Sequence, residues 1–290
     1  MDRIDIGNGL IAASIKRHGA EPCSLRDQAG HEFLWQAGAA WPRHAPLLFP
    51  IVGRLQDDRL EVDGQHYPMK QHGFARDLPF ELTARDEAGC TFALVDDETT
   101  RRQFPFAFRL EARYRLEGTC FTATYVAINT GREVLPAAIG AHPAFNWPLV
   151  PGLAKEAHRL VFEKEEPGRL AGVVDGLLGP VDRPSPIEGR VLALREELFA
   201  RDALVLPAVR SQSVRFEAPG APALRVAWDN APELGLWMKP GGDFLCIEPW
   251  HGYASPVGFK GPFATKPGLW LIPPGESREM AWSVTIEAAS

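Results

Sequence analysis

Three ionisable side chains stand beside residues that break regular structure. They are His72 in Gln71-His-Gly-Phe-Ala-Arg76, His142 in Gly140-Ala-His-Pro-Ala-Phe145, and Glu248 in Cys246-Ile-Glu-Pro-Trp-His-Gly252. His142 precedes Pro143 and Glu248 precedes Pro249; a proline cannot donate to a sheet ladder, so both are expected at the ends of short apolar strands, on a shared cleft rim. The run from Phe244 to Ile247 has the composition of a buried strand. It would desolvate Glu248 and raise its proton affinity. A carboxylate of that kind serves as a general base, one histidine supplies an acid, and the other a further hydrogen-bond donor. Taken singly each has a plainer role: Glu248 as a turn cap or an arginine's partner, the histidines as surface or capping groups. The three together weigh the other way.

Other chemistries use the same residue types. His72, His142, His251 and Glu248 could ligate a metal, but the chain has no His-x-His or His-x-x-x-His pair, so no metal is expected. A serine hydrolase lacks its Gly-x-Ser-x-Gly elbow. A glycosidase needs a second carboxylate across the cleft; Asp229 and Asp202 are available, and nothing around either marks it. No glycine-rich phosphate loop is present. Arg43, Arg54 and Arg76 lie near the first histidine, where they could bind an anionic substrate or pair with carboxylates. Trp250 and Phe145 could stack on a ligand or belong to the core.

The elements that must position these groups read as strands. From Phe108 to Glu117, apolar residues alternate with charged ones, as a half-buried antiparallel strand requires; Glu117-Gly118-Thr119 then turns into the β-rich run Cys120 to Asn129. Short strands are also expected at Ile11–Ile15, His31–Trp35, Ser213–Glu217, Ala223–Trp228, Leu234–Met238, Leu269–Ile272 and Trp282–Ile286. A hairpin is expected about Asp63-Gly-Gln, and the proline-rich stretch Trp41–Arg54 should be a loop or edge segment. Pro148 to Arg190 reads as a loop-like excursion, and Leu192 to Ala200 as the single convincing helix. The expectation is an all-β, antiparallel sandwich in one domain, 1–290.

The chain has 290 residues, enough for a large core, and a net charge of −6 that disfavours a nucleic-acid surface. No apolar stretch reaches the roughly 18 residues of a membrane span. The N-terminus lacks the features of a signal peptide, and Cys23, Cys90, Cys120 and Cys246 show no metal-knuckle spacing. A cytoplasmic protein with reduced thiols is expected.

Four motifs, in order, carry a family resemblance: Leu47-Leu-Phe-Pro-Ile-Val-Gly-Arg-Leu55, Gln71–Arg76, Gly140–Phe145 and Cys246–Gly252. From about Ile6 to the Pro273-Pro-Gly-Glu turn the chain resembles the aldose 1-epimerase (galactose mutarotase-like) superfamily, nearest its LacX-type branch. The resemblance implies an antiparallel β-supersandwich and a cofactor-free cytosolic enzyme interconverting the anomers of a hexose. It implies Glu248 as catalytic base and His142 as acid, with His72, Arg54, Arg76 and Asp229 binding the sugar. The sequence also resembles the hexose-6-phosphate mutarotase branch, in which an arginine near the position of Arg43 would face a phosphate. A non-catalytic carbohydrate-binding sandwich that has kept the cleft is the alternative from another class.

Overall fold

The computed structural model describes residues 2–166 and 168–289. Met1, Pro167 and Ser290 lie outside the described residues, as do the parts of the N-terminal, Pro148–Arg190 and 1–290 readings that fall on them.

Alternation builds the larger of the two principal sheets. In the strand Phe108–Glu117, Phe108, Leu110, Ala112, Tyr114 and Leu116 are buried, and the charged residues between them face outward. Gly118, at φ +56°, turns the chain into Cys120–Asn129, which pairs back residue for residue with Cys120 opposite Glu117. Among the described residues this hairpin sits within a nine-stranded antiparallel sheet. Its order is Val191–Ala193, Arg159–Phe162, Ser213–Glu217, Ala223–Asp229, Ser277–Glu287, Cys120–Asn129, Phe108–Glu117, Gly89–Val95, Glu81–Arg85.

The second sheet carries the site. Its order is Leu204–Leu206, Glu233–Trp237, Phe244–His251, Ile139–Ala141, Leu47–Leu48, with Ala144–Asn146 also paired to Phe244–His251. Side chains of both sheets join one buried apolar cluster that runs from Ile4 to Ile286. Phe49, beside the Leu48 edge, meets Phe108 of the large sheet with ring centroids 5.1 Å apart. The Trp282 indole donates to the Tyr125 hydroxyl at 3.1 Å, satisfying a buried polar pair within the same layer. Truncating a fully buried ring such as Phe108 would cost about 3–5 kcal/mol. The architecture is the all-β antiparallel sandwich expected from the alternation, in the supersandwich form that the family resemblance implied. Among the described residues the one α-helix is Glu98–Arg101, held by the Asp97 side chain accepting from the Thr100 N–H.

Four local expectations fail for identifiable reasons. The strand Phe244–His251 does not stop at Glu248 but passes through Pro249. Ile247 donates its N–H to Pro143 O, and alternation aims position 249 the same way, into the gap between the segments paired at Cys246 and at Trp250. No ladder bond is required there, so proline fits. Leu192–Ala200 is no α-helix: Val191–Ala193 is an edge strand and Glu196–Phe199 a short 3₁₀ turn, the buried Leu192 and Leu194 showing a period of two. His31–Trp35 forms only isolated bridges, because the Glu32 carboxylate takes the N–H groups of Leu25 and Leu34 in place of a ladder. The Pro148–Arg190 excursion supplies the sheet strand Arg159–Phe162 and a small hairpin, Val173–Val174 with Leu177–Leu178.

Candidate active site

Period-two geometry divides the strand Phe244–His251 between two environments. Leu245 and Ile247 point into the core, whereas Cys246, Glu248 and Trp250 share the opposite face. The Trp250 indole lies across two glycines of the neighbouring strands. A Cβ at Gly235 would stand 2.3 Å from its ring, and one at Gly140 2.6 Å. Both positions must be glycine for the indole to lie flat beside Glu248.

His142 occupies the link between Ile139–Ala141 and Ala144–Asn146, with its backbone N–H donating to Pro46 O. Its Nε2 is 3.3 Å from Glu248 Oε2, with side-chain exposures of 8% and 2%. Trp41 stacks on the imidazole (centroids 4.9 Å, 25° between planes), and Trp237 meets it edge-on at 5.7 Å. Burial pushes the Glu248 carboxyl well above its ordinary range, and the Asp202 charge adds to the rise. Burial also drives the His142 imidazolium pKa down, helped by the charge of Arg76. Both partners therefore favour their neutral forms.

His72 is fixed by its backbone. It adopts φ +66°, donates its N–H to Gly53 O at 2.8 Å, and accepts the Gly53 N–H on Nδ1 at 3.2 Å. Burial, then the charges of Arg76, His142 and Arg43, keep the ring neutral. With Nδ1 accepting, the proton resides on Nε2, so His72 offers a donor. Gly73 (φ +74°) has to be glycine, since a Cβ there would fall 2.1 Å from Phe49 O. Arg76 donates through Nη2 to Gln71 O, while its buried Nε has no partner among the described residues. Burial and Arg43 lower its pKa to about 10, which leaves it charged at neutral pH.

These groups line one cavity of about 570 Å³. His72, Arg76, His142 and Glu248 all reach it, together with Trp250, whose buried Nε1 has no partner among the described residues. Arg43 joins the wall with its guanidinium bonded to Asp77 at 2.8 Å. The Val173–Leu178 hairpin forms part of the rim.

Two expected residues stand outside this lining. Arg54 is turned away: Nε and Nη2 grip both oxygens of Asp58 at 2.6 Å, and Nη1 donates to Asp175 O, bracing the hairpin from behind. Asp229 ends the interior strand Ala223–Asp229 of the large sheet and lies in a separate depression with His251, whose Nδ1 donates to Asn230 O. The carboxylate in the cavity is Asp202, held at φ +71° just after the 3₁₀ turn. Phe145 is wholly buried and does not reach the cavity. Sequence reasoning missed Trp41, Trp237 and Lys239, for no spacing ties them to the motifs; the prolines beside Trp41 and Lys239 were the only local signal.

A carboxyl and an imidazole in contact, a fixed donor at His72, a guanidinium and a free carboxylate can bind a polyhydroxylated ligand and move protons on it. Among the described residues, those able to hold a metal are His142, Cys246 and Glu248, whose donor atoms lie mutually within 4.8 Å; His72 and His251 are not in that set.

The family model for aldose 1-epimerase matches residues 2–261. Protein LacX (plasmid) of Lactococcus lactis subsp. lactis is 31% identical over 295 aligned positions, spanning 98% of this chain and 99% of that protein. A putative glucose-6-phosphate 1-epimerase of Salmonella typhimurium is 30% identical over 131 positions, 41% of this chain and 42% of that one. Among solved structures, a galactose mutarotase related enzyme from Lactobacillus acidophilus superposes with a TM-score of 0.92 at 31% identity, covering 99% of this chain and 98% of that one. A galactose mutarotase-like protein from Lactobacillus casei gives 0.91 at 27% identity, covering 98% and 100%.

Proposed function

The chain belongs to the aldose 1-epimerase family, and from that premise we propose that it interconverts the α and β anomers of a hexose by opening and reclosing the ring, with Glu248 and His142 as the proton-transfer pair. The observation that carries this reading is the 3.3 Å approach of Glu248 Oε2 to His142 Nε2 at the wall of a sugar-sized cavity. Glu248 takes the proton of the anomeric hydroxyl as His142 protonates the ring oxygen. The ring opens, the aldehyde rotates, and closure on the other face reverses both transfers. A carboxylic acid beside a neutral imidazole differs from a carboxylate beside an imidazolium by one proton moved within the pair, so the cycle draws no charge into the site. The His72 Nε2–H, Arg76 and Asp202 hold the hydroxyls and restrict the sugar's orientation, which adds to the ~10²–10⁴-fold that acid–base transfer contributes.

A second reading rests on charge. Arg43, Arg76 and Lys239 share the cavity, a cluster suited to a hexose bearing a phosphate. The Arg43 guanidinium is already paired with the Asp77 carboxylate at 2.8 Å, which favours the uncharged sugar. The four free thiols support a reducing compartment, the cytoplasm. Among the described residues no helix is long and apolar enough to cross a membrane.

The test is polarimetry of freshly dissolved α-glucose, α-galactose and their 6-phosphates, with buffer-catalysed exchange subtracted. Acceleration of a free hexose supports the first reading, and acceleration confined to the 6-phosphates supports the second. Binding of sugars without any acceleration would leave a carbohydrate-binding protein and refute both.

A further inference from the structure

Strand alternation sets a third donor behind the acid–base pair. Cys246 precedes Glu248 by two residues on the same face, opposite Trp237 in the ladder; it is fully buried and its thiol is free. A nitrogen of His142, the Cys246 sulfur and an oxygen of Glu248 lie within 4.8 Å of one another. His142 is more than nine-tenths buried, and its Nδ1, the ring nitrogen other than the one facing Glu248, has no hydrogen-bond partner among the described residues.

Thiolate, imidazole and carboxylate are the ligand types that zinc takes, at bond lengths of about 2.0–2.3 Å. A tetrahedral ion with such bonds places its donors about 3.5 Å apart, so the set needs a contraction of about 1 Å, within reach of side-chain rotation at Cys246 and Glu248. His142 and Glu248 line the cavity, which gives a path for entry and an open fourth position, while Cys246 stands behind them. On binding, the thiol proton and the carboxyl proton leave to solvent. The dication, thiolate and carboxylate then sum to zero charge, so no uncompensated charge is buried. The sulfur selects against magnesium and calcium, which prefer oxygen alone.

We infer that His142, Cys246 and Glu248 form a site for a thiophilic divalent cation of the zinc class, and that its occupancy blocks the proton-transfer pair. The binding half stands on this geometry; the blocking half rests on the acid–base reading above.

Cobalt(II) is the probe, added to chelator-treated protein in which Cys120, the one thiol that is not buried, is changed by Cys120→Ser. One equivalent should produce a sulfur-to-metal charge-transfer band that zinc displaces and that Cys246→Ser abolishes. Zinc should arrest mutarotation and a chelator should restore it. Cys246→Ser should keep its basal rate and require at least about tenfold more zinc for arrest. Where Cys246→Ser fails to fold, Cys246→Ala and a folded His142→Asn protein carry the same spectral test. Absence of the band, or a band that survives loss of Cys246, overturns the site. A band with undiminished mutarotation under zinc overturns the blocking half. A band in a protein that never accelerates mutarotation refutes the proposed function and leaves the metal site standing.

Discussion

Glu248→Gln separates two things that ordinary knock-outs confuse, the protonation of the resting pair and its use in turnover. Glutamine has the size and shape of a protonated carboxyl. Glu248 is 2% exposed, so its surroundings cannot rehydrate to hide a mismatch. If the resting pair is neutral, as the direction of both pKa changes requires, the substitution replaces one neutral group by another and leaves stability within about 1 kcal/mol. If the pair were a carboxylate on an imidazolium at 3.3 Å, the same change would strand a buried cation and cost about 3–5 kcal/mol.

Turnover should behave differently from stability. Glutamine cannot accept the anomeric proton, so the rate constant should fall by about 10²–10⁴, a barrier increase of about 2.7–5.5 kcal/mol. Sugar affinity should stay within a small factor, since the amide keeps most hydrogen bonds. Urea unfolding at pH 7 reads the first quantity and optical-rotation decay of fresh α-aldose the second. A folded Glu248→Gln protein with wild-type turnover removes Glu248 from the chemistry. A loss of several kcal/mol in stability refutes the neutral resting pair.

Asp202→Asn should raise KM for the sugar several-fold, whereas Asp229→Asn and Arg54→Ala, both outside the cavity, should change steady-state mutarotation by less than about twofold. Gly235→Ala should destabilise by about 1–3 kcal/mol in denaturant unfolding and lower turnover, because the added methyl displaces the Trp250 ring. Burial alone would raise the Glu21 carboxyl, but hydrogen bonds from His44 and the nearby Lys16 charge more than reverse that, holding it at about 2 against an ordinary 4.5. A folded-state pKa below the unfolded one stabilises above the unfolded value, so the advantage of wild type over Glu21→Gln should be about 3 kcal/mol at pH 7 and shrink as pH falls from 4.5 toward 2.

What was legible in the sequence was local. The Phe108–Glu117 strand needs only its own alternation to be recognised, and its ends fall where the glycine turn and the charges put them. Each of the motifs at His72, His142 and Glu248 carries its own glycine or proline, and these mark positions that the fold brings to one cavity. What was hidden depends on partners distant in the chain. Pro249 lies within a strand because the neighbouring segments leave a gap at that position, which nothing near residue 249 records. Asp202 and Asp229 look alike in sequence; one follows a 3₁₀ turn that tips it into the cavity, the other ends a strand in the opposite sheet. Arg54 sits in a recognisable motif, yet Asp58 four residues on captures its guanidinium. The Trp41 and Trp237 walls around His142 arise from segments nearly two hundred residues apart.

The depth of the pair has a mechanistic consequence. In the proposed cycle the cyclic sugar is bound opposite a carboxylate and an imidazolium, and ring opening leaves a carboxylic acid and a neutral imidazole. The second distribution is the one that burial favours. The site is thus electrostatically matched to the open-chain aldehyde, the species through which both anomers must pass, rather than to either ring form. Binding of a cyclic sugar must move the proton from Glu248 to His142 across the 3.3 Å gap, and sugar hydroxyls donating to the new carboxylate supply the hydrogen bonds that make this feasible. Opening then returns the pair to its preferred state, so part of the sugar's binding energy is converted into driving force for the bond-breaking step. The aromatic walls contribute through the same physics. By excluding water from His142, Trp41 and Trp237 make its imidazolium a stronger acid than one in solvent, which is what protonating a weakly basic ring oxygen demands.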